Sequence, residues 1–364
     1  MVAPHAEFLG KRRYPSLDGI RCLAIVPVVF HHSTPVPYSG FLGQGPLGVH
    51  LFFALSGFLI PSLLLAEERR SGRILLGAFW ARRALRIFPL YYAVLALYVA
   101  RALLFLPDSP MRSDFLRDVP YFATYTGNVL ANVDVPHPVI FAFSWSLATE
   151  AQFYLLFPPL LVLCRSFAAR AALVLALLVL DRLAECGSLA PLVGDGVFHR
   201  VVTSISTPMC LGALAALALG EGRAFRALVS LLGGRHVATA LLVAMLGEVW
   251  LAAPLFAVHV TMAAFVVALA LRDDSSLAPA LEHPLVRHVG KVSYGIYLLH
   301  VAAITAVKWA LPGALRGVPA VVFPLALLLS VAVATLSYRY FETWFLSRRG
   351  TRPTSGRAVP GLAG

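Results

Sequence analysis

Long apolar runs recur along nearly the whole chain, separated by short polar stretches. Most approach the ~20 residues that a helix needs to cross a bilayer. Ten can be marked, at 16–33, 49–66, 87–106, 147–163, 168–183, 201–219, 237–251, 254–271, 292–311 and 318–340. The pattern predicts an all-α integral membrane protein, a bundle of about ten transmembrane helices. Only Ala252 and Ala253 separate the seventh run from the eighth, which fits a tight hairpin or one broken element. No internal repeat is visible. The segment 107–144 is too long for a simple hairpin and points to a contribution to a site. Residues 1–345 read as a single membrane-embedded domain. The remainder, 346–364, carries Pro353, Ser355, Gly356, Pro360 and Gly361 and reads as a flexible tail.

Charge orients these runs. With the N-terminus in the cytoplasm, 21 of the 30 Lys and Arg residues fall inside and 7 outside, with Arg21 and Arg339 within spans. This is the positive-inside pattern. It predicts two cytoplasmic ends, an external 107–144 segment and a multi-pass protein of the cell (inner, cytoplasmic) membrane. The composition agrees, with 59% hydrophobic and 13% charged residues, against about 25% charged in soluble domains. The net charge of +12 would point to nucleic acid in a soluble protein. Here the basic residues sit between apolar runs, and no nucleic-acid partner is expected. Cys22, Cys164, Cys186 and Cys210 lack metal-ligand spacing and give no disulfide framework. Lys11, Arg12 and Arg13 precede an apolar run that holds Asp18 and Arg21 and lacks a small-residue cleavage site. A cleaved signal peptide is not expected.

The candidate chemistry lies in the polar residues that interrupt the runs, because an ionisable group in a span is costly and usually functional. The first run carries Asp18 and Arg21 and ends in His31-His32. Arg21 and His32 are eleven residues apart, so they share a helix face about 16 Å apart along the axis. Asp18, one turn before Arg21, is placed to pair with it. His50 opens the second run at about the expected depth of His32; an interface histidine is the competing explanation. Ser56 and Gly57 read as close-packing residues. Arg82, Arg83 and Arg86 crown a six-arginine inner loop that suits a phosphorylated ligand; orientation and anionic lipid heads are the alternatives. The fourth run opens Trp145-Ser146 and continues to Glu150 and Tyr154. Glu150 is expected near His32, as the acid that orients a general base. Trp145 and Tyr154 also fit an interfacial belt. Ser293, Tyr297 and His300 form one polar stripe on the ninth run, suited either to a cavity or to interhelical hydrogen bonds. Arg339 and Glu342, one turn apart, are placed to pair with each other. A metal site is not expected, since His31 and His32 point to different faces.

These blocks, in this order, resemble the membrane acyltransferase-3 family over about residues 14–345. The resemblance rests on Leu17 to Arg21 with His32, Gly48 to Phe58, Phe79 to Tyr91, Trp145 to Tyr154, Gly290 to His300 and Ser337 to Glu342. The family's arginine–ten residues–histidine motif falls on Arg21 and His32. The resemblance implies transfer of an acyl group, often acetyl, from cytosolic acyl-CoA as co-substrate to a hydroxyl. Acceptors in the family include surface glycans, lipid-linked sugars and glycosylated natural products. It further implies a catalytic His32, with Arg21, Arg82, Arg83 and Arg86 holding the donor. The chain departs from the family in three places. His50 stands where an acid is common, Thr343-Trp344 follow Glu342 in place of Arg-Pro, and Ser206-Thr207-Pro208 precede Gly212 where an arginine is frequent. These differences bear on the acceptor pocket more than on the chemistry. No bound cofactor and no fused esterase-like domain are expected. The acid–histidine pairing makes His32 and Glu150 the expected catalytic groups, with Asp18, His50, Trp145, Ser146, Tyr154, Ser293, Tyr297 and His300 around the pocket and Tyr297 or Ser146 as an oxyanion donor. A multi-span transporter using the same buried Arg, His and Glu track is the rival reading.

Overall fold

The computed structural model describes residues 4–348 except 12, 35–43, 132–134, 190, 192, 193 and 195. Arg12, and the segment 349–364 that the sequence reads as tail, lie outside the described residues. Among the described residues all regular structure is helical. In chain order the helices are α1 (His5–Gly10), α2 (Pro15–Ser33), α3 (Gly45–Ser71), α4 (Leu76–Phe105), α5 (Pro110–Ala123), α6 (Gly127–Leu130), α7 (Trp145–Leu163) and α8 (Phe167–Glu185). They continue as α9 (Val197–Thr203), α10 (Thr207–Leu219), α11 (Gly222–Leu232), α12 (Val237–Trp250), α13 (Leu255–Leu271), α14 (Ala278–Leu281), α15 (Pro284–Ala310), α16 (Pro319–Ser337) and α17 (Thr343–Ser347). Proline sits in the first turn of α2, α3, α5, α10, α15 and α16, where its missing N–H would have had no partner anyway. Gly72 ends α3 with φ +71°, its N–H donating to the Glu68 carbonyl, a left-handed cap that glycine adopts without strain.

A helix stands at each of the ten apolar runs, but not every one qualifies as a span. Among the described residues five helical stretches are long and apolar enough to cross a membrane: Gly45–Ser71, Leu76–Phe105, Ala142–Leu163, Pro284–Ala310 and Pro319–Ser347. Two further pairs pass only when joined, α9 with α10, bent by 43°, and α11 with α12, bent by 74°. The count by length and composition is therefore five to seven. The shortfall from ten has physical causes. Charge within α2 and α8 dilutes their hydropathy, and α13 is short at 17 residues. The molecule is a multi-pass membrane protein built from helices.

The centre of the bundle is α2, α3, α10 and α15, which make its densest packing, with α16 flanking α15. Small residues let these backbones approach: Gly48 lies on the Ala24 carbonyl, and Gly290 on the Asp18 carbonyl. Between membrane helices such close packing replaces much of the hydrophobic drive available in water. Basic side chains gather at one end of the bundle. There Arg170 of α8 reaches Glu68 of α3 through two bonds of 2.7 Å, and Lys11 reaches Asp273 at 2.6 Å. The opposite end carries His31, His32 and the segment 107–144, which folds into α5, α6 and a 3-10 turn at Ala142–Ser144.

Candidate active site

Two connected cavities enter the bundle from the basic end. The first, about 330 Å³, is lined by Arg13, Tyr14, Asp18, Arg21, Arg83 and Arg287, among others. The second, about 100 Å³, shares Arg21, Ser56, Arg83 and Tyr154 with it and runs on to Arg86, Ser146, Glu150, Ser293, Tyr294 and Tyr297. The space narrows as it deepens, from a cationic vestibule to a polar slot. Asp18 accepts from Arg21 at 2.5 Å, the helix pair expected from their spacing. Arg83 lies over the Tyr154 ring at 5.3 Å, and Trp80 fixes this turn by donating to the Tyr154 carbonyl at 3.0 Å. Arg82 is exposed and reaches Glu67 at 3.4 Å. It does not line either cavity, so of the three expected loop arginines Arg83 and Arg86 face the site.

Glu150 and His50 stand deeper than the sequence placed them. Gly45 packs on the His31 side chain and Gly48 on Ala24, so α3 descends alongside α2. By helix rise, His50 falls about 10 Å below His32. Ser56, two turns beyond Gly48, reaches the level of Arg21, and its hydroxyl donates to the Glu150 carboxylate. Tyr154 donates to the same oxygen. Glu150 is therefore anchored in the arginine-lined slot by two hydroxyls, and no hydrogen bond joins it to His32. The equal depth expected of Glu150, His32 and His50 fails because α3 packs on α2, and α7 on α3, at a lower register than run boundaries alone can show.

His32 finds a different neighbour. Its ring meets that of His300 edge-on, with centroids 4.8 Å apart. Its Nδ1 lies 2.9 Å from the Val28 carbonyl, one turn back on the same helix. A carbonyl only accepts, so Nδ1 carries the proton and Nε2 keeps its lone pair. His300 repeats the arrangement: Nδ1 donates to the Tyr297 carbonyl at 2.6 Å, and its buried Nε2 has no hydrogen-bond partner. His300 in turn lies 5.7 Å from the Tyr297 ring, and Tyr297 closes the slot. Polar groups thus run from Arg21 and Arg83, past Glu150, to Tyr297, His300 and the exposed His32. Ser293 and Tyr297 line the cavity while His300 sits beyond its end, so the stripe expected on α15 is real and faces inward.

Proton accounting limits the hydroxyls. Tyr297 donates to the Phe143 carbonyl at 2.7 Å, so Ser146, 2.5 Å away, must donate to Tyr297. Neither hydroxyl has a proton free for an oxyanion in this arrangement. The expected Arg339–Glu342 pair does not form. Arg339 stacks on Tyr340 at 5.4 Å, and the buried Glu342 accepts from Ser337 at 3.3 Å. A π-helical turn over Tyr338–Glu342 shifts the register by which the two residues would have met.

Sequence reasoning missed His259, whose Nε2 lies 2.9 Å from Nδ1 of His50. A histidine alone in the apolar run of α13 was the signal available. It also missed Tyr294, which lines the slot and donates to the Ile87 carbonyl at 2.6 Å, and gave Ser56 a packing role only. Among the described residues no group of three His, Cys, Asp or Glu side chains could hold a metal ion.

Comparison with known proteins follows the same lines. Residues 14–339 match the family described as an acyltransferase domain. The chain is 30% identical to the O-acetyltransferase OatA of Staphylococcus aureus (strain NCTC 8325 / PS 47), over 93% of this chain and 58% of that protein. It is 28% identical to the putative O-acetyltransferase SACOL0978 of Staphylococcus aureus (strain COL), over 92% of this chain and 58% of that one. The chain thus spans a little over half the length of these relatives. No solved structure matches it. By the match over nearly its whole length, the chain belongs to the membrane acyltransferase-3 family.

Proposed function

We propose that the protein moves an acyl group, acetyl in the first instance, from acyl-CoA to a hydroxyl of a carbohydrate or glycosylated small molecule. The observation that carries this reading is the polar run from the arginine-lined vestibule to His32. Phosphates are too charged to enter lipid, and the vestibule offers Arg13, Arg21, Arg83 and Arg287 where they would stop. Guanidinium groups pair with phosphate oxygens through two parallel N–H bonds. The positive-inside pattern of the sequence supports a cytoplasmic position for this end, on the side where acyl-CoA is found. The thin arm of the donor then follows the slot past Glu150 toward Tyr297. The span from Arg21 to His32, about 16 Å by helix rise, is comparable with that arm.

At the far end, His32 presents a bare Nε2 to an acceptor arriving from outside. Its lone pair takes the proton of the acceptor hydroxyl as the oxygen attacks the thioester carbonyl. The carbon–sulfur bond breaks, and the thiolate leaves with the proton that the histidine had taken. His300 stands between the end of the slot and His32, so it must shift for the thioester to reach the base. Glu150 acts at the donor end, where it faces Arg83 and fixes the slot through Ser56 and Tyr154. It is a positioning residue and not the partner of His32.

The test is to incubate purified protein with radiolabelled acetyl-CoA and a panel of glycosides. Label is expected on an acceptor hydroxyl, released by mild base as acetate. Absence of acetyl-CoA consumption, with solute transport by reconstituted protein, would favour the transporter and end this reading.

A further inference from the structure

A third cavity, about 310 Å³, opens at the histidine end beside the site and belongs to neither donor pocket. We propose that it binds an anionic group, a carboxylate or phosphate, carried by the hydroxylated acceptor. The proposal rests on the O-acyl transfer reading and adds a substrate class to it.

The cavity shares a wall with the reaction path. Ala142 and Trp145 line it. Within the same turn of backbone, Phe143 lies 5.5 Å from the His300 ring, and Ser146 bonds Tyr297. The 3-10 turn over Ala142–Ser144 and the first turn of α7 therefore border both. The shape of the 3-10 turn is fixed by buried Phe141 at φ +66°, a left-handed conformation that aromatic residues rarely adopt. An acceptor seated in the cavity is held one turn from the imidazoles.

The lining sets the chemistry. Arg200 places Nε–H in a buried position with no hydrogen-bond partner. Among the described residues no Asp or Glu lines the cavity, and Arg200 enters none of their ion pairs. A buried donor left unmet is costly, and a guanidinium that enters no ion pair among the described residues is matched by an oxyanion with two or more oxygens. The floor is already built. Asn128 donates to Ser204 at 2.9 Å and to Thr149 at 3.3 Å and accepts from Gln152 at 2.9 Å. Ser204 in turn donates to the Arg200 carbonyl at 2.7 Å, tying the arginine's backbone to that floor. Trp145, 40% exposed, leaves ring surface for the less polar part of a ligand.

The experiment measures both binding and transfer with methyl glucoside, methyl glucuronide and glucose 1-phosphate, using detergent-purified protein and labelled acetyl-CoA. The expected result is a kcat/KM at least tenfold higher for the charged acceptors, with the better of the two telling carboxylate from phosphate. Arg200→Gln should bring the charged-to-neutral ratio close to one, mainly through KM, and Arg200→Lys should restore part of it. Tryptophan quenching by the same three compounds, lost in Trp145→Phe, reads binding without catalysis, and melting temperatures check the fold. Equal transfer to all three, or an unchanged ratio in Arg200→Gln, overturns the proposal while the acyltransferase reading stands. If none of the three compounds quenches, the proposal is likewise overturned. Selective quenching by the charged compounds without any label transfer supports the anion site and counts against the acyltransferase reading instead.

Discussion

Two pairs of histidines sit in this bundle, and they are built differently. In the His32–His300 pair each ring donates Nδ1–H to a carbonyl of its own helix. The rings touch but do not bond, and both Nε2 lone pairs remain available. In the His50–His259 pair the rings bond to one another at 2.9 Å, and neither residue lines the arginine cavities. The first arrangement leaves a base open to a substrate proton. The second commits one lone pair to joining α3 to α13 and leaves the pair a single free one. A histidine in a membrane span is therefore not a catalytic signal by itself; what its Nδ1 holds decides what its Nε2 can do.

Substitutions sharpen this contrast. The largest effect belongs to His32→Ala, which removes the proposed base. Acetyl transfer is expected to fall about 10²- to 10⁴-fold, the usual contribution of general-base catalysis, with membrane insertion intact because His32 is exposed. Retention of near-normal turnover would break the contrast outright. Next comes Arg83→Ala, which takes one fork from the proposed donor site. A charge-assisted bond contributes about 1.5–3 kcal/mol, so KM for acetyl-CoA should rise roughly tenfold to a hundredfold with little change in KM for the acceptor. Initial-rate kinetics with each substrate varied would show whether the loss falls on the donor alone.

His300→Phe keeps a ring against His32 but removes its polar edge. A loss of about tenfold in kcat, or ~1.4 kcal/mol in the barrier, is expected with KM for acetyl-CoA unmoved. A parallel rise in that KM would mean that His300 lines the donor path in the working enzyme. The smallest effect on turnover is expected from His259→Leu, which leaves His50 without its partner. Activity should stay within about threefold. Stability should drop by about 1–3 kcal/mol, the cost of orphaning a buried polar group, visible as a lower melting temperature in detergent. A collapse of activity with normal stability would give the second pair a chemical role.

Much of the fold was legible because hydropathy acts locally. The ten apolar runs coincide with helices to within a few residues at most ends. Whether each helix crosses the bilayer depends on how charge inside α2 and α8 is shielded and on the bends between α9 and α10 and between α11 and α12, which run lengths do not encode. The site was legible in part. Arg21, with Asp18 as its partner, follows from spacing on one helix, and so does the inward stripe of Ser293, Tyr297 and His300. Relations between helices did not follow. Glu150 was assigned to His32 because both start near the same end, yet Gly48 seats α3 so low on α2 that Ser56 meets Glu150 at the arginine level. Arg200 and Asn128 come from separate segments joined only by folding, and nothing in their local sequence marks them as neighbours.

In the proposed mechanism the donor occupies the slot between the arginines and Tyr297. Ser293 lines that slot and is 4% exposed. The direct measurement replaces the native cysteines with alanine, introduces Ser293→Cys, and follows modification of the new thiol by a small methanethiosulfonate. Coenzyme A is expected to slow labelling strongly, and to lose that protection when Arg83→Ala is added. A labelling rate that coenzyme A leaves unchanged would rule out a donor seated in this slot.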